Sequence, residues 1–306
     1  MIDYIRWRDN KLSRLGLGTV QLGLDYGVAN RSGKPVLNEC EQLLNYGIQK
    51  GINCLDTARA YGDSETVIGN FVKKFNICDL NIISKIKSDI LMLPFEKSAK
   101  YIKQSIYNLS LPTLFALLLH DSKLLYHWND KLEEKIVQFK KNGLFRYFGV
   151  SIYSDREFEL ALQCKNIDII QVPFNIFDQR AVNNDWLGKA AQKNILIFIR
   201  SIFLQGLLLM GQEDIPEKLG LAKQYLLEVD NICKDLSITK LQLLFSYVNL
   251  LTNNSIILFG CESLEQVKSN ISIFENELIE LDKETLKNIY MKFSCINEKI
   301  YNPIRW

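Results

Sequence analysis

Eight short apolar runs, each separated from the next by an amphipathic stretch, recur along the whole of this 306-residue chain. They fall at 15–20 (LGLGTV), 52–56 (INCLD), 81–86 (NIISKI), 114–119 (LFALLL), 146–151 (RYFGVS), 168–172 (DIIQV), 195–199 (ILIFI) and 255–259 (SIILF). Runs this short and this rich in Ile, Leu and Val read as parallel strands buried on both faces. Helical periodicity fills the intervals at 38–50, 64–74, 95–109, 130–142, 155–164 and 184–193, and a longer interval holds 218–235 and 239–251. NEC at 38–40 and SLEQ at 263–266 have the character of helix N-termini, the second as a capping box between Ser263 and Gln266.

Strand–helix alternation repeated eight times favours an α/β fold closed as a (β/α)8 TIM barrel over an open doubly wound sheet. No Pro-, Gly- or Ser-rich linker divides the chain, so a single domain over 1–306 is expected. Upstream of the first run, YIRW-RDN-KLSRL reads as two short strands about a turn at Asp9 and Asn10. This is an N-terminal β-hairpin placed to plug the bottom of the barrel. Segments 21–37 and 200–217 exceed the usual connection length, and long loops after barrel strands lie at the catalytic mouth.

The net charge of +2, with Lys and Asp/Glu interspersed, argues against nucleic acid or an anionic membrane as a partner. Cys40, Cys54, Cys78, Cys164, Cys233, Cys261 and Cys295 are scattered, odd in number and without a CxxC pair. They read as reduced thiols of a cytoplasmic protein rather than a disulfide framework or a zinc site. A metal-dependent hydrolase is disfavoured by the absence of HxH and a total of two His.

Asp56, Tyr61, Lys85 and His120 stand at or just past the ends of consecutive apolar runs. A barrel gathers its strand ends at one mouth, so these four residues become neighbours there. Taken singly, each has a plain explanation: a turn-capping Asp, a packing Tyr, a core His. Lys85 is harder to dismiss, because a buried ammonium without a partner is costly, and Asp56 on the neighbouring strand is the obvious partner. A free phenol has a pKa of about 10 and is a weak acid at neutral pH. The expectation is that the Lys85 ammonium lowers the Tyr61 pKa, Asp56 holds Lys85 charged, and His120 orients a substrate oxygen. His127 falls in a polar loop and carries no assigned role.

The glycines of LGLGTVQLG (Gly16, Gly18, Gly23) do not make a Rossmann fingerprint, since the third comes two residues late and no helix opens there. They read as a tight strand and a loop.

With these residues in place, the chain resembles the aldo/keto reductase family over almost its whole length. DTARAYGDSE matches the family signature, and Asp56, Tyr61, Lys85 and His120 match its catalytic tetrad in order. RYFGVS, IIQVPFN, RSIFLQGLL and ILFGCESLEQVKSN are similar to its later strand-end segments. The resemblance implies NADPH, with NADH as the alternative, bound without a Rossmann fold and delivering a hydride to a small-molecule aldehyde or ketone. It implies cofactor contacts from Gly18, Thr19, Asp56, Ser151, Gln171, Arg200, Ser201, Phe203, Gln205, Gly206, Gly260, Gln266 and Asn270. Three positions depart from the family pattern: Ile152 replaces an Asn, Arg200 an aromatic that stacks on the nicotinamide, and Gly260 with Gln266 the basic residues that grip a 2′-phosphate. Lys268 is near that last site but off the expected position.

Tyr26 and Tyr153 are the substrate-side candidates, with Gln21, Asn30, Phe174 and Phe177 as further lining. Aromatics and amides together suit a hydroxylated, sugar-type carbonyl and equally suit loop packing. GLDYGVANRSGKP is similar to the loop of bacterial family members linked to surface-polysaccharide sugar metabolism. A cofactor-binding regulatory subunit with little turnover is the alternative function, since some relatives act as redox-sensing partners.

Overall fold

The computed structural model describes residues 2–306. Eight parallel strands close on themselves: β3 (Leu15–Gly18), β4 (Cys54–Asp56), β5 (Asn81–Ile86), β6 (Leu114–Leu119), β7 (Phe145–Ser151), β8 (Ile169–Pro173), β9 (Leu196–Arg200) and β10 (Ile256–Gly260). β10 pairs back onto β3 with Gly260 opposite Gly18, which closes the barrel. Each strand lies within three residues of its predicted run. β3 stops at Gly18 rather than 20 because the chain turns at Thr19 into a 3-10 turn, Val20–Leu22.

Ahead of the barrel, β1 (Tyr4–Trp7) and β2 (Asn10–Ser13) form the expected antiparallel hairpin. Its turn is Arg8–Asp9, one residue earlier than expected. Asn10 already pairs with Trp7, and Arg8 takes the left-handed backbone conformation that the tight reversal requires. Trp7 and Leu12 pack into the barrel interior with Phe198, Ile256 and Leu258. Asn10 donates to the Tyr147 hydroxyl, and Arg8 pairs with Asp168 at 2.8 Å. The hairpin therefore seals the N-terminal end.

Helices cover the outside. The predicted 184–193 helix is present as Trp186–Gln192, and a short helix that was not predicted, Arg180–Asn183, precedes it, separated by Asp185 in a left-handed conformation. The predicted 218–235 helix begins as a 3-10 segment, Glu217–Ala222, before Lys223–Leu236. At the start of helix Leu264–Asn276, Ser263 caps the Gln266 amide as anticipated. The Gln266 side chain, however, turns back to Glu262 rather than closing the box on Ser263.

The strands alternate between two cores. Leu55, Ile82, Leu117, Ile170 and Ile257 pack outward under the helices, while Cys54, Ile83, Leu118, Ile169, Phe198 and Leu258 fill the interior. Continuing the inward parity by two residues reaches Asp56, Lys85, His120, Gln171, Arg200 and Gly260, and Gly18 and Ser151 share that parity on β3 and β7. Each strand thus contributes one inward position at its C-terminal end. Together they form the uppermost layer of the barrel's filling.

Candidate active site

Lys85 is 1% exposed, and its ammonium is fixed by three groups at that layer. It donates to Asp56 Oδ2 at 2.6 Å, to the Thr57 carbonyl at 3.2 Å and to the Tyr61 hydroxyl at 3.4 Å. The second Asp56 oxygen accepts from Gln171 Nε2 at 2.8 Å, so the carboxylate is held both from the neighbouring strand β5 and, across the barrel, from β8. His120 meets the Tyr61 ring edge-on, with centroids 5.4 Å apart. The four residues of the predicted tetrad are therefore in one cluster, with Tyr61 and His120 facing the cleft and Lys85 behind them.

Tyr61 is placed by contacts between two loops. Gly23 and Gly62 lie back to back: a Cβ on Gly23 would come 1.8 Å from the Tyr61 carbonyl, and one on Gly62 would come 2.2 Å from the Gly23 carbonyl. Gly62 also has a left-handed φ of +55°. The third glycine of LGLGTVQLG thus serves the loop that carries the phenol. Beneath it, buried hydroxyls bind the strand ends together. Thr19 Oγ1 donates to the Asp56 carbonyl, Ser64 Oγ lies 2.9 Å from Thr19 Oγ1, and Thr57 Oγ1 lies 3.0 Å from Ser64 Oγ. Glu65 anchors the new helix by accepting from Ser84 at 2.6 Å.

The electrostatics differ from the sequence expectation in one respect. Burial, and next the Asp56 charge, push the Tyr61 pKa up, with Arg200 opposing them. The expected lowering is therefore not the net direction in the resting site, although the Lys85 ammonium lies 3.4 Å from the hydroxyl. Burial likewise pushes Lys85 down against the attraction of Asp56. His120 is lowered to about 4 by burial and then by Lys85, so its imidazole is neutral at pH 7. The site therefore presents a protonated phenol and a neutral histidine.

Above the tetrad lies a cleft of about 720 Å³, within the range of roughly 300–1,000 Å³ typical of ligand sites. Gly18, Thr19, Asp56, Ser151, Gln171, Arg200, Ser201, Phe203, Gln205, Gly206, Gly260, Gln266 and Asn270 all line it, as do Tyr26 and Tyr153. Phe174 and Phe177 do not. Both are buried in the outer core, stacked against Tyr247 and packed on Phe293 respectively. Asn30 reaches the rim, but its amide is used within its own loop, accepting from Ser32 and Gly33 and donating to Tyr26 and Gly33. Asn270 likewise donates to the Cys261 thiol.

Arg200 does not lie flat and free as an aromatic would. It donates to Ser151 Oγ, Ser201 Oγ and the Ile152 carbonyl, and its guanidinium lies 4.0 Å from the Tyr153 ring centre. Two residues absent from the sequence reading support this wall. Arg180, itself paired with buried Asp178, donates to the Tyr153 carbonyl at 2.6 Å, and Asn175 donates to the Ser201 carbonyl at 3.0 Å. The polar cluster NIFDQR just past a strand end was the available signal.

The two long loops meet over the cleft. Ala29 donates to the Gln205 carbonyl, Gly206 packs against Ala29, and Arg31 pairs with Asp214 at 2.5 Å. Ser201, Leu204 and Gln205 all have positive φ, local strain that the crossing imposes. Glu262, Ser269, Arg31 and Asp214 are cleft-lining residues that the sequence did not single out.

The volume of the cleft and its glycine, hydroxyl and amide lining suit an extended dinucleotide. The Gln21 side-chain oxygen is buried without a partner, and a Cβ on Gly260 would come 2.7 Å from that amide, so the amide packs directly against bare backbone at the cleft wall. Among the described residues no helix is long and apolar enough to cross a membrane.

Comparison with known proteins agrees with this geometry. The curated oxidoreductase YqkF of Bacillus subtilis, itself uncharacterized, is 24% identical over 92% of this chain and 95% of its own. The fold is shared with an aldo-keto reductase of Bacillus halodurans in its holo form (TM-score 0.78, 19% identity, all of both chains). It is shared also with the glycerol dehydrogenase of Gluconobacter oxydans (TM-score 0.73, 20% identity, 98% of this chain and 96% of that one). Residues 14–291 match the aldo/keto reductase family, and the chain belongs to it.

Proposed function

We propose that this oxidoreductase reduces an aldehyde or ketone with Tyr61 as the proton donor. The observation that carries the reading is the buried contact of Lys85 with both Asp56 and the Tyr61 hydroxyl at the barrel mouth. When bound, NAD(P)H supplies the hydride. The protein's own work is then a proton transfer. Tyr61 enters the reaction protonated and donates to the carbonyl oxygen as negative charge develops there. The forming phenolate faces the Lys85 ammonium, which Asp56 keeps in place and charged. His120, neutral, offers an N–H to the same carbonyl oxygen.

Ser151 and Gln171 would hold the nicotinamide carboxamide, since Gln171 spends its amide N–H on Asp56 and keeps an oxygen to accept with. The crossed loops at Ala29–Gln205 and Arg31–Asp214 would retain the dinucleotide. Tyr26, Tyr153 and Gln21 offer hydroxyl and amide partners to a hydroxylated, sugar-type carbonyl.

The test is Tyr61→Phe, assayed against a carbonyl panel that includes nucleotide-linked keto sugars. Turnover should fall by about 10²–10⁴-fold, the usual contribution of a general acid, with cofactor binding retained. Near-normal turnover by this variant would remove Tyr61 from the chemistry. A wild-type protein that binds cofactor yet reduces no carbonyl would favour the regulatory role.

A further inference from the structure

We infer that the outer arm of the cleft recognises an unmodified adenosine ribose, so that the cofactor is NADH and not NADPH. This rests on the nicotinamide-dependent reading above and replaces the NADPH expectation drawn from resemblance. The cleft runs from Tyr61 past Gly18 and Gly260 to Glu262, Gln266 and Ser269, so with a nicotinamide beside Tyr61 these last residues would face the adenosine end.

The chemistry of that arm is acidic. Gln266 holds Glu262 from both sides, donating from Nε2 to Glu262 Oε1 at 3.0 Å and accepting from the Glu262 backbone at 3.0 Å. The other Glu262 oxygen has no hydrogen bond among the described residues and is an acceptor available to a vicinal diol. Two ribose hydroxyls can donate to a carboxylate. A 2′-phosphate monoester has no such donor at neutral pH and brings a charge of about −1.5 to −2 against it.

Among the described residues, neither of the two arginines that line the cleft is without a partner. Lys268, one turn into the helix, lies over the Tyr46 ring at 5.9 Å, on the side packed toward helix Leu37–Gln49, and is outside the cleft lining. Arg31 is paired with Asp214, and Arg200 is engaged at the inner end by Ser151, Ser201 and the Ile152 carbonyl. The N-terminus of helix Leu264–Asn276 would ordinarily favour an anion. Here Ser263 already accepts from the Gln266 amide, and Glu262 and Glu265 flank that turn.

The experiment is equilibrium titration of the purified full-length protein with NADH and with NADPH, read by fluorescence in moderate salt. NADH should bind about tenfold or more tightly. Equal or tighter NADPH binding overturns the inference and leaves the nicotinamide reading standing; binding of neither overturns both. Glu262→Gln and, separately, Gln266→Arg should each shift the affinity ratio toward NADPH, Gln266→Arg the more because it adds a cation. Gln266 is exposed and Glu262 only half-buried, so either variant serves if the other folds poorly. A ratio that neither substitution moves overturns the assignment of discrimination to this pair.

Discussion

Lys85 is a liability for folding that the proposed mechanism makes a requirement for chemistry. Its charge is buried and satisfied by Asp56, and Asp56 in turn depends on Lys85 and Gln171. Lys85→Met should therefore abolish turnover and also destabilise the protein by about 3–5 kcal/mol, because Asp56 is left buried and unmatched. Adding Asp56→Asn should recover most of that stability without recovering activity, as measured by urea midpoints beside turnover. His120 makes a prediction in pH. Its folded pKa of about 4 lies below the ordinary 6.5, so between those values the unfolded chain binds more protons than the folded one. Its contribution is complete above 6.5 and is lost as pH falls toward 4. The urea midpoint should decline through this window, and His120→Asn should make the decline shallower.

At the scale of elements, the positioning of Tyr61 depends on a loop from another strand. Gly23→Ala would drive a methyl into the Tyr61 carbonyl, so the β4 loop must move. A stability loss of about 1–3 kcal/mol is expected, together with a fall in kcat larger than that loss explains in protein that remains folded. Unchanged kcat in the folded fraction would mean that Tyr61 is placed by its strand alone. Elements were also where the sequence was most legible. Apolar runs gave the strands within three residues, because a strand buried on both faces admits little but Ile, Leu and Val. Polar positions inside that pattern gave the tetrad. Side-chain destinations were illegible: nothing local shows that Asn30, which does reach the rim of the cleft, spends its amide on its own loop. Phe174 and Phe177 follow a strand end yet turn into the outer core, a choice made by Tyr247 and Phe293 far along the chain. Arg200 stands where an aromatic was expected, and the three groups that fasten it, Ser151, Ser201 and the Ile152 carbonyl, could not be read from the sequence.

For the whole molecule, the barrel's two ends divide the labour. The hairpin fills one end with Trp7 and Leu12, and the tetrad occupies the other. Trp7→Ala should cost about 3–5 kcal/mol in stability, the usual loss for a buried aromatic, while kcat/KM of the folded enzyme stays within a few-fold of normal. A tenfold loss in kcat/KM would instead show that the plug sets the spacing of the strand ends at the mouth.

The top layer of the barrel, one inward residue from each strand, makes the site a matter of phase. Loops between strands can lengthen without disturbing it, as the 21–37 and 200–217 segments illustrate. Inside a strand there is no such tolerance. A single residue inserted between Ile83 and Lys85 would turn the ammonium out toward the helices and leave a hydroxyl or an alkyl group facing the mouth. On the proposed mechanism, the catalytic information in this chain is thus written in odd and even, and an insertion one residue long would erase what a much longer one in a neighbouring loop leaves intact.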